Sequence, residues 1–219
     1  MADETILILA NGAWEGTTRL DALVDRADRI VATDGAWAKA VAAGVRVDRV
    51  VGDLDSLTPT QRAALCASAI DVESHDPDKD LTDLELAVDG ELMRSPRTLI
   101  VFGAFGGRID HTFANVLMLE KAILHGAQVE LIAGQETAWL VRNEIEIPGG
   151  RPGDPVSLIP LTENAVVRTA GLRYRLVDET LVRASAHGIS NVIEAPPAHV
   201  AVRSGTLLVV HGVPEEAPR

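Results

Sequence analysis

The stretch Thr98–Leu119, TLIVFGAFGGRIDHTFANVLML, runs from five apolar or β-branched residues through three glycines into a helical pattern. A short continuous apolar run marks a strand buried on both faces, as in a parallel sheet. The following helix carries Phe113, Val116, Leu117 and Ile123 at core-facing spacing and stops at Gly126, a natural helix end. Strand, glycine turn and helix together make half of a βαβ unit.

The same alternation recurs on both sides. Strands are expected at Thr5–Ala10, Arg29–Thr33, Asp48–Val51, Ala69–Glu73 and Gln128–Ile132, six in all, with helical stretches between them. Thr58-Pro59-Thr60-Gln61 signals a helix start, with a Thr cap, Pro at the first position and Gln at the third. Thr82-Asp83-Leu84-Glu85 repeats the capping box, with Leu81 and Leu86 at the two positions of a hydrophobic staple. From about Thr137 the texture changes to short strands rich in turn residues: TAWLVR, EIEIP, DPVSLIPL, AVVRT, HVAVRS and TLLVVHG. The expected fold class is therefore α/β: a mostly parallel six-stranded sheet with flanking helices over residues 1–133, then a smaller antiparallel β-sandwich over 137–219. The tail PEEAPR is expected to fray.

Composition narrows the function. The 219 residues are 47% hydrophobic and 24% charged, which fits a folded globular chain. The net charge of −12 excludes an extended nucleic-acid surface, which needs clustered Lys and Arg. Residues 1–132 carry 12 basic and 22 acidic side chains, residues 133–219 only 8 and 10, so the acid sits in the first domain. No uncharged apolar run approaches the roughly 18 residues of a membrane span. The start, MADETILILA, has acids where a signal peptide is basic, so a cytoplasmic protein without a membrane partner is expected. Cys66 is the lone cysteine, expected to be inert packing. Trp14, Trp37 and Trp139 read as packing residues or as ring-stacking platforms, and Met93 and Met118 as helix-core residues.

Ligands of open parallel sheets bind at the carboxyl ends of strands, where helix N-termini point. Every polar cluster of the first domain follows a strand: Asn11-Gly12, Asp34-Gly35, Gly52–Ser56, Asp76–Asp83 and Gly103–His111. If the segment is extended, Asp53 and Asp55 project to one side and can share a cation such as Mg²⁺, although Asp-Leu-Asp-Ser also reads as an ordinary turn. Asp76, Asp78, Asp80 and Asp83 stand beside a single base, Lys79, a crowding that a cation would relieve. Asp83 equally suits the first turn of a helix on dipole grounds. Gly106 and Gly107 free backbone amides to face an anion, and Arg108 offers a planar fork for phosphate oxygens. His111 reads as a base, a ligand or a helix-start residue.

Taken together, VVGDLDSL, DKDLTDLELAV and GAFGGRIDHTFANVLML resemble the signature blocks of the thiamine pyrophosphokinase family, and VSLIPL, GLRYRL and GISN resemble its carboxyl-terminal β-sandwich. The resemblance implies transfer of pyrophosphate from ATP to thiamine, giving thiamine diphosphate and AMP. It implies Mg²⁺ on Asp53, Asp55 and Asp83 with Asp80 beside them, and phosphates on Lys79, Thr82 and Arg108. It further implies that Asn11 and Asp34 line the site and that Asp110 and His111 position substrate or nucleotide. The family likeness extends to a homodimer with composite sites, in which Ser190 and Asn191 of GISN contact thiamine, a turn whose simpler reading is structural. The chain departs from the family pattern at Ala36, where glycine is usual, and at Phe105, where threonine is usual. The alternatives are a pyrophosphokinase for another hydroxymethyl compound, such as a pterin precursor, and a catalytically silent thiamine or nucleotide sensor.

Overall fold

The computed structural model describes residues 4–14 and 19–213; residues 1–3, 15–18 and 214–219, with the tail expected to fray, lie outside the described residues. The chain divides into two compact units, Met1–Gly134 and Gln135–Arg219.

The first unit contains β1 (Thr5–Leu9), α1 (Leu20–Arg26), β2 (Arg29–Thr33), α2 (Asp34–Ala42), β3 (Arg49–Gly52), α3 (Pro59–Cys66), β4 (Asp71–Ser74), α4 (Asp83–Leu92), β5 (Thr98–Phe102), α5 (Ile109–Met118), α6 (Glu120–Leu124) and β6 (Gln128–Ala133). Its strands lie in the order β6-β5-β1-β2-β3-β4, every neighbouring pair parallel. The central strands β1 and β5 are fully buried from Ile6 to Leu9 and from Leu99 to Phe102, which is why they read as unbroken apolar runs. Leu7, Leu9, Ile30, Ala32 and Val50 share one core with Leu20, Leu23, Trp37, Leu57 and Leu65 from the segments that connect them. The order places β1, between β2 and β5, where the connections leave in opposite directions, and a cleft opens at such a switch point.

Local chemistry starts the helices. Thr58 and Gln61 form a complete capping box at α3. Thr82 Oγ1 accepts from Glu85 N at 3.2 Å at α4, while Leu81, the expected staple residue, is exposed. Glu91, on the last turn of α4, is buried and accepts from Arg29 Nε at 2.9 Å and Arg49 Nη1 at 3.1 Å, so its charge enters the interior already paired.

Several side chains depart from their expected burial. Phe113 and Leu117 are 65% and 53% exposed, because the buried position of α5 is Asn115, whose Nδ2 donates to Ala104 O at 2.8 Å and sets the rotation of the helix. Met93, the residue that follows α4, is exposed. Cys66 is exposed, one residue and about 100° of helix beyond the buried Leu65.

The second unit contains β7 (Glu136–Val141), β8 (Glu144–Glu146), β9 (Pro155–Pro160), β10 (Asn164–Ala170), β11 (Glu179–Val182), β12 (Asn191–Val192), β13 (His199–Ser204) and β14 (Leu207–His211). Two antiparallel layers, β12-β9-β14-β7 and β11-β10-β13-β8, enclose a core of Trp139, Val156, Leu158, Val167, Val200, Leu207 and Val209. Alternation along β9 and β10 is regular, one face buried and the other half-buried or exposed, as a sandwich requires. β11 and β12 had no counterpart among the expected strands; ETLV alternates weakly and β12 is two residues long.

Candidate active site

A cleft of about 350 Å³ opens at the carboxyl ends of β1, β2, β3 and β5. Asn11 and Gly12, Asp34, Ser56, Thr82 and Asp83, and the Gly103–His111 segment all contribute to its lining. The five polar clusters that follow strands thus meet in one place. Close packing of backbone forms its floor: a Cβ on Gly12 would lie 2.3 Å from Phe105 O and 2.4 Å from Gly103 O. Gly106 and Gly107 hold φ of 86° and 88°, a conformation open to glycine at little cost.

Three carboxylates converge here. Oxygens of Asp34, Asp53 and Asp83 lie within 4.8 Å of one another. Asp34 opens α2 and is buried; Gly35 N donates to its Oδ1 at 2.5 Å and Ser56 N to its Oδ2 at 3.4 Å. Burial, reinforced by the charges of Asp83 and Asp53, nevertheless raises its carboxyl above the usual range. Lys79 Nζ donates to Asp53 Oδ2 at 2.8 Å and faces Asp83 Oδ1 at 3.0 Å. Desolvation opposes the Lys79 charge, but its hydrogen bond with Asp53 and the charges of Asp53 and Asp83 outweigh it and raise its pKa. The hydrogen bond from Lys79 is the main reason the Asp53 carboxyl is lowered. Asp83 Oδ1 is buried and, though beside Lys79, accepts no hydrogen bond.

Asp55 stands outside this group. It is exposed, and its carboxyl is raised by the hydrogen bond it shares with Asp53. Extended backbone would have put both side chains on one side; instead Leu54 between them has φ of 64°, the left-handed region, and the chain turns. A leucine held there costs about 1–2 kcal/mol. Asp53 Oδ1 closes the turn by accepting from Asp55 N at 3.1 Å. Asp34, expected only to line the site, takes the third place. Asp80 is exposed and does not line the cleft.

Arg108 caps the start of α5 and pairs with Asp110, Nη2 to Oδ2 at 2.5 Å; both are exposed, and the arginine's hydrogen bond holds the Asp110 carboxyl at about 2. His111 lines the cleft in the first turn of α5. Thr82 Oγ1 is engaged as a helix cap. Ser56, expected only as part of the Gly52–Ser56 cluster, lines the cleft, as does Asn115, which sequence reasoning missed. A lone amide inside the apolar pattern of Phe113, Val116 and Leu117 was the available signal for Asn115.

In the second unit a cavity of about 280 Å³ is lined by Tyr174, Leu176, His187, Gly188, Ile189 and Asn191. Asn191 is buried and its amide serves the local fold, with Oδ1 accepting from Tyr174 N and Val192 N and Nδ2 donating to Tyr174 O. Ser190 is exposed with φ of 61°, its N–H bonded to Ser157 Oγ at 3.2 Å. Trp14 packs edge-on against Phe102, Trp37 lies in the core and Trp139 stacks on His211. Among the described residues, no helix is long and apolar enough to cross a membrane.

Residues 20–131 match the model of the thiamin pyrophosphokinase catalytic domain, and residues 142–207 that of its vitamin B1 binding domain. A thiamine pyrophosphokinase of Bacillus subtilis is 27% identical over 209 residues, covering 94% of this chain and 98% of that protein. Crystal structures of thiamine pyrophosphokinase from Bacillus subtilis (TM-score 0.83, 26% identity, 96% of this chain and 99% of that one) and thiamin pyrophosphokinase from Geobacillus thermodenitrificans (0.81, 27%, 98% and 100%) have the same fold.

Proposed function

The chain belongs to the thiamin pyrophosphokinase family, and from that premise we propose that its cleft transfers pyrophosphate from ATP to thiamine with Mg²⁺ held by Asp34, Asp53 and Asp83. The observation that carries this reading is the meeting of three carboxylates with a glycine-rich, arginine-bearing helix start in one cleft. The residues fit a hard cation: the donors are all oxygen, a buried Asp83 oxygen lacks a hydrogen bond, and among three clustered acids the one lysine pairs with two, Asp53 and Asp83. When bound, Mg²⁺ supplies neutralisation of the polyphosphate charge that these acids would otherwise repel.

The chain's own groups do the rest. The amides of Gly106 and Gly107, the start of α5 and Arg108 cradle phosphate oxygens, and Lys79, held by Asp53 and Asp83, adds a positive charge for the same phosphates. Phosphate oxygens take the place of the exposed Asp110 carboxylate on Arg108, as an equally bidentate partner. The hydroxyl oxygen of thiamine bonds to the β-phosphorus, the bond from that phosphorus to the α–β bridging oxygen breaks, and AMP leaves with that oxygen while the hydroxyl proton is released.

Ser190, exposed beside the second unit's cavity, contacts thiamine, with Asn191 fixing the turn that presents it. A homodimer with composite sites is part of the reading. Its support is an unpartnered stripe at four-residue spacing on α5, where Ile109, Phe113 and Leu117 are 73%, 65% and 53% exposed. A cytoplasmic location is part of the same reading. Incubation with Mg-ATP and thiamine should release AMP and thiamine diphosphate in equal amounts without ADP. ADP with thiamine monophosphate would mean simple phosphoryl transfer, and a pterin product or no turnover would favour the two alternatives.

A further inference from the structure

Leu54 is a branched, non-glycine residue in the left-handed region, and it lies between the two acids of the Asp-Leu-Asp turn. Such a conformation persists only where its surroundings over-determine it. Two contacts do so. The Leu54 side chain is buried in the core shared with Leu57 and Leu65. Its carbonyl oxygen accepts from Arg62 Nη2 at 2.5 Å and, more weakly, from Leu57 N at 3.4 Å.

Arg62 reaches that carbonyl from α3, whose start is locked by the Thr58–Gln61 capping box and by Arg62 N donating to Thr58 O at 2.9 Å. Among the described residues this is the guanidinium's sole hydrogen bond, and it pairs with no carboxylate. An arginine directed to a backbone carbonyl, at the one residue whose φ decides where two carboxylates point, is placed for positioning.

We infer that Arg62 is a positioning residue for the cation site: its bond to Leu54 O holds the turn that sends Asp53 into the group with Asp34 and Asp83 and leaves Asp55 outside. The inference rests on the metal reading given above. Without Arg62 the turn relaxes toward extended backbone, Asp53 leaves the group, and cation affinity falls. Groups that orient metal ligands from behind typically change affinity 10–100-fold when removed.

The test is Mn²⁺ binding to nucleotide-free enzyme, followed by paramagnetic resonance and calorimetry, for wild type, Arg62→Met, Arg62→Gln, Arg62→Lys and Asp53→Asn. Arg62 is exposed, so the variants should fold; if Met does not, Gln, which is polar but too short to reach Leu54 O, decides. Expected are a roughly tenfold weaker Mn²⁺ affinity in Met and Gln, recovery in Lys, a raised Mg²⁺ activation constant and an unchanged KM for thiamine. Folded Met and Gln variants with wild-type Mn²⁺ affinity would overturn the role of Arg62, provided Asp53→Asn weakens binding. Wild-type affinity in Asp53→Asn as well would overturn the metal reading itself.

Discussion

The ammonium of Lys79 donates to Asp53 at 2.8 Å, so the positive charge that faces the three-carboxylate group comes from the protein's own side chain. A cation entering the group must replace or share that contact. The two aspartates of the Asp-Leu-Asp turn therefore stand in different positions, one inside the group and one in solvent.

That asymmetry makes a ranking. Asp53→Asn removes a charge from the centre of the group and should cost on the order of 10²-fold or more in turnover. Asp55→Asn should cost far less, within about tenfold. AMP release by variants whose circular dichroism matches wild type checks both. Equal losses would put Asp55 in the cation site despite the turn at Leu54.

Asp34 is a carboxylate whose charge the folded state disfavours, through burial first and then the charges of Asp83 and Asp53. A pKa raised on folding means that ionisation costs stability at every pH above the unfolded value near 3.9. Asp34→Asn should raise Tm at pH 7 in chelator by a few degrees, at roughly 2–4 °C per kcal/mol for a chain of this size. Activity should be lost at the same time. A lower Tm would show that the carboxylate supports the fold through Gly35 N and Ser56 N.

Asp154 works in the opposite direction. Burial opposes its charge, but His211 Nε2 at 2.9 Å and Arg151 N at 2.8 Å outweigh that and lower its pKa. Its contribution is complete above the unfolded value near 3.9 and is lost as pH falls through the depressed folded value. Asp154→Asn should lower the Tm of the second unit at pH 6 and lower it less near pH 3, below the unfolded value, measured by calorimetry. The same loss at both values would mean the side chain acts by packing alone.

The exposed stripe on α5 predicts that Phe113→Asp sediments as a monomer where wild type sediments as a dimer. If the dimer's sites are composite, Asp53→Asn and a Ser190→Ala/Asn191→Ala double variant are each inactive alone. Co-expressed, they should recover roughly a quarter of wild-type activity, since half of the randomly paired dimers hold one intact site of two. Verified heterodimers without recovery would place Ser190 and Asn191 in their own subunit's site or in none.

The sequence by itself determined which segments become strands and helices in the first unit and where its polar clusters emerge. Those are local properties: the apolar run of Thr98–Phe102, the Thr58–Gln61 cap and the position of Asn11, Asp34 and Gly103 just past strand ends are all readable within a few residues. Convergence at one edge follows because parallel strands all end on the same side. The tertiary structure alone decided which side chains turn inward. Asp53 and Asp55 looked equivalent until Leu54 took a left-handed conformation, and that conformation depends on a buried side chain and on an arginine eight residues away. Likewise Phe113 and Leu117 have the spacing of a core, yet Asn115 bonded to Ala104 O rotates them outward. Periodicity records which residues share a face; contacts distant in sequence choose what that face meets.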